Sequence, residues 1–131
     1  HHGIALNNDL IVKGKWTPAC GAAGVDTLLS RKVNFTALVA SNDDMAIGAM
    51  KQLHEHGVSV PAQVSVIGFD DIALAAYTIP ALSSVKIPVT EMIQETIGRL
   101  IFMLGDGAFT PPKTFTGELI QRDSVAPPAS R

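Results

Sequence analysis

Three stretches of this chain place polar or aromatic side chains directly after apolar runs. They are Trp16, Asn42 with Asp43 and Asp44, and Asp70 with Asp71. The runs before them are Asp9 to Val12, Phe35 to Ala40 and Val64 to Phe69. If the runs are parallel strands, the three groups share one rim, the carboxyl end, where open α/β sheets bind ligands. Carboxylates accept hydrogen bonds, and an amide both accepts and donates. An aromatic face offers an apolar platform. Together they suit a ligand rich in hydroxyl groups, a sugar. Each also has a structural reading: Asn42, Asp43 and Asp44 as helix caps, Asp70-Asp71 as a turn, Trp16 as packing. The convergence on one rim favours a binding site.

Other reactive residues lack partners at useful spacing. His54 and His56 lie two apart on a helix and point to different faces, so they are solvated helix-end residues and not a metal pair. Cys20 has no general base near it in sequence and reads as a small buried residue. Ser83-Ser84 lacks a nucleophile elbow, and no glycine-rich phosphate loop is present. The two Asp-Asp pairs would suit a divalent metal, but a hydroxyl ligand needs fewer assumptions. The expectation is therefore no catalytic set, no metal and no cofactor.

The elements that must hold these residues follow from periodicity. Asp9 to Val12 reads as a buried strand. Thr17-Pro18 opens a helix running to about Ser30, with Leu28 and Leu29 inward. Gly21 and Gly24 within it imply close packing on a neighbour. Phe35 to Ala40 has the pattern of a strand covered on both faces. Ser41 and Asp44 fit a capping box for a helix with Met45, Ala46, Ala49, Met50 and Leu53 on its apolar stripe, ending at Gly57. Val64 to Phe69 is a second buried strand, so a βαβ unit with a parallel pair results. A loop or short helix reaches Pro80, and Ser84 to Ile87 is a further strand. Thr90 caps a helix with Ile93, Ile97, Leu100, Ile101 and Leu104 on one face, stopped by Gly105. A proline-containing loop from Gly107 to Lys113, a last strand Glu118 to Arg122 and a frayed tail from Ala126 complete the chain. The fold class is α/β, a Rossmann-like parallel sheet flanked by helices.

The 131 residues, 47% of them hydrophobic and 17% charged, are enough for one domain with a real core. A net charge of −2 offers no basic surface for nucleic acid phosphates, so DNA binding would need residues outside this chain. The single cysteine forms no internal disulfide, which fits a reducing cytoplasm. No apolar run is long enough for a membrane helix, and no secretory signal opens the chain. It begins His1-His2-Gly3, without Met, and reads as starting within a longer protein, the histidines being native or a tag remnant.

An ordered series of motifs then carries a resemblance. Phe35-Thr36-Ala37, Asn42-Asp43-x-Met45-Ala46-x-Gly48-Ala49, Gly57-x-x-x-Pro61, Val64 to Asp71, Pro80-x-Leu82-x-Ser84-Val85 and Leu119-Ile120-x-Arg122-Asp123-Ser124 resemble the lac/galactose repressor family. The galactose-responsive branch is the part of it suggested. The chain departs from the pattern at Gly24, usually alanine, and across Thr17 to Cys20. The resemblance implies an N-terminal helix-turn-helix and a core of two Rossmann-like subdomains, like periplasmic sugar-binding proteins. The sugar effector lies between the subdomains, and the core dimerises.

On that pattern residues 1–87 are part of the C-terminal subdomain, and 88–117 a crossover with a helix of the N-terminal subdomain. Residues 118–131 are the return strand and tail. Trp16, Asn42 and Asp70 take effector-contacting positions, and operator DNA is read only through the N-terminal domain, absent here. The function implied is the sugar-sensing core of a cytoplasmic, homodimeric repressor. A periplasmic sugar-binding protein is the alternative, favoured if a signal peptide lies upstream. A sugar-metabolising enzyme would need a catalytic pair that is not visible.

Overall fold

The computed structural model describes residues 5–105, 107–108 and 111–128. The opening histidines, part of the proline-containing loop and the last three residues of the tail lie outside these. A four-stranded sheet of order β1-β2-β3-β4 is formed by Ala37–Val39, Ser65–Asp70, Ser83–Lys86 and Glu118–Ile120. The first three strands are parallel and β4 is antiparallel to β3. Helices α1 (Pro18–Ser30) and α2 (Asp43–Glu55) pack together, and α3 (Val89–Leu104) follows β3. A short 3-10 turn, Ala73–Tyr77, connects β2 towards β3.

The core lies between the two helices and one sheet face. Val25 from α1, Ala46, Ala49, Met50 and Leu53 from α2, and Val66 from β2 are its buried side chains, joined by Leu82. The α1–α2 contact is made backbone to backbone. A Cβ on Gly21 would lie 1.9 Å from the Met45 carbonyl oxygen, and one on Gly48 equally close to that of Pro18. Close packing thus explains Gly21. It does not explain Gly24, where a Cβ would meet only Val12 at 3.9 Å, so the alanine usual in the family would fit.

Several expectations are corrected. Asp9 to Val12 is not a strand: Asn8–Leu10 is a 3-10 turn, with the Asn7 side chain accepting from the Asp9 amide. Arg31 Nη1 donates to the carbonyls of Asp9 and Ile11 at 2.8 and 3.1 Å, drawing them from any ladder with β1. An apolar cleft of about 320 Å³ lies between this segment, α1 and β1, lined by Val12, Cys20, Leu28 and Leu38 among others. Cys20 is therefore only partly buried. Nor is β1 covered on both faces. Val39 is 80% exposed, and Phe69 and Leu119 on the same sheet face are also open to solvent.

Cap positions shift as well. Asn42, not Ser41, caps α2, and α3 begins at Val89 after Pro88, with Thr90 already inside it. The glycine stops stand: Gly57 has φ +71°, and Gly105 occupies the C-cap of α3.

No residue of α3 is buried, and Ile93, Ile97, Leu100, Ile101 and Leu104 are all more than half exposed. Such a patch drives association. The 131-residue chain on its own is expected to self-associate, and Ile97→Glu with Ile101→Glu to make it more soluble. Light scattering checks this; a monodisperse monomer at high concentration, with α3 protected from hydrogen exchange, would overturn it.

The return segment is stitched in by a serine. Ser124 is fully buried; its Oγ accepts from the Ser83 amide at 2.8 Å and donates to the Val66 carbonyl at 2.6 Å. Its own carbonyl accepts from the Val66 amide.

Candidate functional site

The parallel order of β1, β2 and β3 sends their carboxyl ends to one rim. Asn42 stands there as the N-cap of α2, its Oδ1 accepting from the Met45 amide at 2.9 Å. Its amide nitrogen has no protein partner among the described residues and faces no competing bond. Capping and ligand donation are therefore compatible in one side chain, because the amide has two ends.

Asp70 ends β2 with φ +106°, and Asp71 follows at φ +55°. The second value is a left-handed conformation that aspartate tolerates; the first lies outside it. Backbone of this kind costs about 1–3 kcal/mol and persists only where its surroundings hold it. Three anchors do so. The Asp71 amide donates to Ser84 Oγ at 3.1 Å, and the Ile72 amide to Asp43 Oδ2 at 2.8 Å. Arg122 Nη2 donates to Asp71 Oδ1 at 2.6 Å.

The carboxyl group of Asp70 itself makes no hydrogen bond among the described residues. Partial desolvation at this otherwise exposed residue, with the neighbouring Asp43 and Asp44 carboxylates, pushes its pKa above the ordinary aspartate value. An unpaired acceptor beside like charges gains from hydroxyl donors that bring no charge of their own.

Trp16 precedes α1 and is 67% exposed, so it is not simple core packing. Its helix packs directly against α2. Pro18, two residues on, touches Gly48 of α2, while Gly21 touches Met45, three residues past Asn42. The structure places an indole just before α1, an amide at the start of α2 and a carboxylate at the end of β2.

Asp43 belongs elsewhere. It is fully buried, and its Oδ1 accepts from Ser84 Oγ at 2.6 Å while packing over Gly68. A Cβ on Gly68 would lie 2.1 Å from that oxygen, so only glycine fits there. The network of Asp43, Ser84, Asp71 and Arg122 is not among the sequence-based expectations. The signal for it was two adjacent serines opening a strand whose position required burial.

The remaining reactive residues have local work. His56 Nε2 lies 2.7 Å from Asp26 Oδ1 across the α2–α1 contact, and Gln52 donates to the same oxygen at 2.9 Å. The imidazole contact, with help from Gln52, holds the Asp26 carboxyl below the usual aspartate range. The Thr17 side chain, then the Lys15 backbone, lowers the Cys20 thiol.

Comparison with known proteins sets this geometry in a family. A sequence model of the periplasmic binding protein-like domain matches residues 2–125. The HTH-type transcriptional regulator AscG of Escherichia coli (strain K12) is 75% identical over 128 residues, covering 98% of this chain and 38% of its own. GalR of the same organism is 37% identical over 129 residues, 97% of this chain and 37% of its own. The galactose branch suggested by the motifs is therefore not singled out.

Among solved structures, a sugar-binding transcriptional regulator of the LacI family from E. coli, complexed with phosphate, superposes with a TM-score of 0.87 at 76% identity. It is matched over 96% of this chain and 46% of that one. The transcriptional regulator CelR in complex with cellobiose gives 0.87 at 28% identity, over 93% and 38%. The chain spans less than half the length of each of these relatives. A sheet with its polar rim at parallel strand ends, the match to the periplasmic binding protein-like domain and 75% identity to one regulator agree: this chain belongs to the LacI family of transcription regulators.

Proposed function

We propose that this chain is part of the sugar-sensing core of a cytoplasmic, DNA-binding repressor, with Trp16, Asn42 and Asp70 contacting the effector. The observation that carries the reading is the Asp70 turn. A strained, triply anchored backbone presents a carboxylate with no protein partner at the rim where α/β sheets take ligands. The indole supplies an apolar platform for the sugar ring, and the free end of the Asn42 amide a donor. The effector is a neutral, hydroxyl-rich sugar; galactose is the first probe, and cellobiose, the ligand in the CelR complex, the second.

Residues 88–117 cross to a second subdomain, which closes the rim from the other side. The operator is read by a domain outside this chain, whose net charge of −2 offers no phosphate-binding surface. The protein works as a homodimer. Exposed Leu74 and Tyr77 on one short turn, with Ile79 just past it, suit a contact between copies.

Charge-assisted bonds from a carboxylate to hydroxyls contribute about 1.5–3 kcal/mol. In the intact protein, Asp70→Ala is expected to weaken sugar binding at least about tenfold with the fold unchanged. Calorimetry with galactose and cellobiose reads the affinity, and circular dichroism the fold. Equal affinity in mutant and wild type would remove Asp70 from the site.

A further inference from the structure

We propose that Arg122 is a positioning residue of the effector site, fixing the Asp70–Asp71 turn so that Asp70 faces the ligand. The proposal rests on the sugar-binding reading above and deepens it. Asp70 has no side-chain bond among the described residues, so what the fold fixes is the backbone from which its side chain leaves. That backbone is held through its neighbours. Two of the three anchors, Asp43 and Ser84, come from α2 and β3, beside the turn in the fold.

The third comes from much further along the chain, 51 residues past Asp71. The Asp71–Arg122 pair is largely buried, the side chains being 13% and 19% exposed. Arg122 is itself fixed. Its Nη1 donates to the Leu82 carbonyl at 2.7 Å, and its backbone amide donates to Ser83 Oγ at 2.9 Å. A guanidinium can bridge a carbonyl and a carboxylate from one rigid plane, whereas a lysine ammonium is a single point on a flexible stem. Through this bridge, the segment that returns after β4 sets the geometry of the turn. A displacement of β4 is transmitted to Asp70 through one ion pair.

The test is made on the intact protein. Hydrogen exchange at the Asp71 and Ile72 amides reads the turn directly, without any sugar, since both amides donate to buried acceptors. Arg122→Ala is expected to speed exchange at these two amides at least about tenfold, leaving the α1 and α2 amides protected. It should weaken binding of galactose or cellobiose about tenfold by calorimetry, and Arg122→Lys should restore part of the loss.

The deciding comparison is a double-mutant cycle. Arg122 acts through Asp70, so in an Asp70→Ala background Arg122→Ala should cost no further affinity. An equal loss with and without Asp70, or unchanged exchange at Asp71 and Ile72, overturns the proposal. Asp71→Asn, which removes the ion pair and keeps the Arg122–Leu82 bond, repeats both measurements should Arg122→Ala not fold. If neither sugar binds the wild-type protein, the sugar-binding reading falls, and the exchange measurement still decides whether Arg122 sets the turn.

Discussion

Replacing Asp43 by alanine is expected to destabilise the protein by about 3–5 kcal/mol, one of the two largest single-residue effects predicted. Its two carboxyl oxygens accept from Ser84 Oγ and the Ile72 amide, in a place fully shielded from water. Alanine removes both acceptors at once. Each donor left unpaired in a buried site costs about 1–3 kcal/mol, and the vacated volume adds to this. The side chain also stands in the first turn of α2, where an acidic group complements the helix dipole. Asp43→Asn keeps one oxygen acceptor and turns a donor towards the other partner, so it should recover only part of the stability. Equilibrium denaturation of the intact protein checks the order wild type, Asn, Ala. A loss under about 1 kcal/mol for alanine would mean that water reaches this network.

Glycine-to-alanine substitutions provide the second test, because propensity and packing predict opposite signs. In a helix interior alanine is favoured over glycine by about 1 kcal/mol. On α3, a Cβ at Gly98 would have nothing within 4 Å, so Gly98→Ala should stabilise by about 0.5–1 kcal/mol. At Gly48 the same methyl would lie 1.9 Å from the Pro18 carbonyl oxygen, and backbone cannot give way as a flexible side chain does. Gly48→Ala should destabilise by about 3 kcal/mol, overpacking outweighing propensity. Because α1 would be pushed from α2, the Trp16 and Asn42 positions should separate, and sugar affinity should fall with stability. Denaturant midpoints of the two variants settle it; a shift of the same sign in both would discard the packing argument.

The parallel order and the helix periods were legible because apolar runs and capping residues are local signals. β2, α1 and α2 fall where their patterns place them. The sequence could not show that Asp9 to Val12 turns away from β1, since the cause is Arg31, some twenty residues on, taking its carbonyls. It also could not show that β1 would have one open face, because an apolar run records what could be buried, not what covers it. At the rim, residue type marked Trp16, Asn42 with Asp43 and Asp44, and Asp70 with Asp71 as binding candidates, and the resemblance narrowed them to Trp16, Asn42 and Asp70. It could not separate Asp43 from Asp44, or assign Asp71 to Arg122. Those distinctions depend on the φ angles of a turn and on a partner beyond α3. The resemblance to the family filled part of that gap, and the comparisons then established the family.

Ser124 bears on the order in which this sheet can be made. Every group it satisfies, the amides of Ser83 and Val66 and the carbonyls of Val66 and Ala81, is synthesised well before it. Chains emerge from the ribosome amino end first, and contacts between distant positions form late. While residues 122–126 are still in the exit tunnel, β2 and β3 can associate with α1 and α2, but their buried polar groups at the opening of β3 have no protein partner. The nascent sheet is then least protected on its β4 side, the edge a chaperone or a second nascent chain would reach first. Closure comes when residues 122–126 leave the tunnel, so the module completes its fold only once synthesis has passed them.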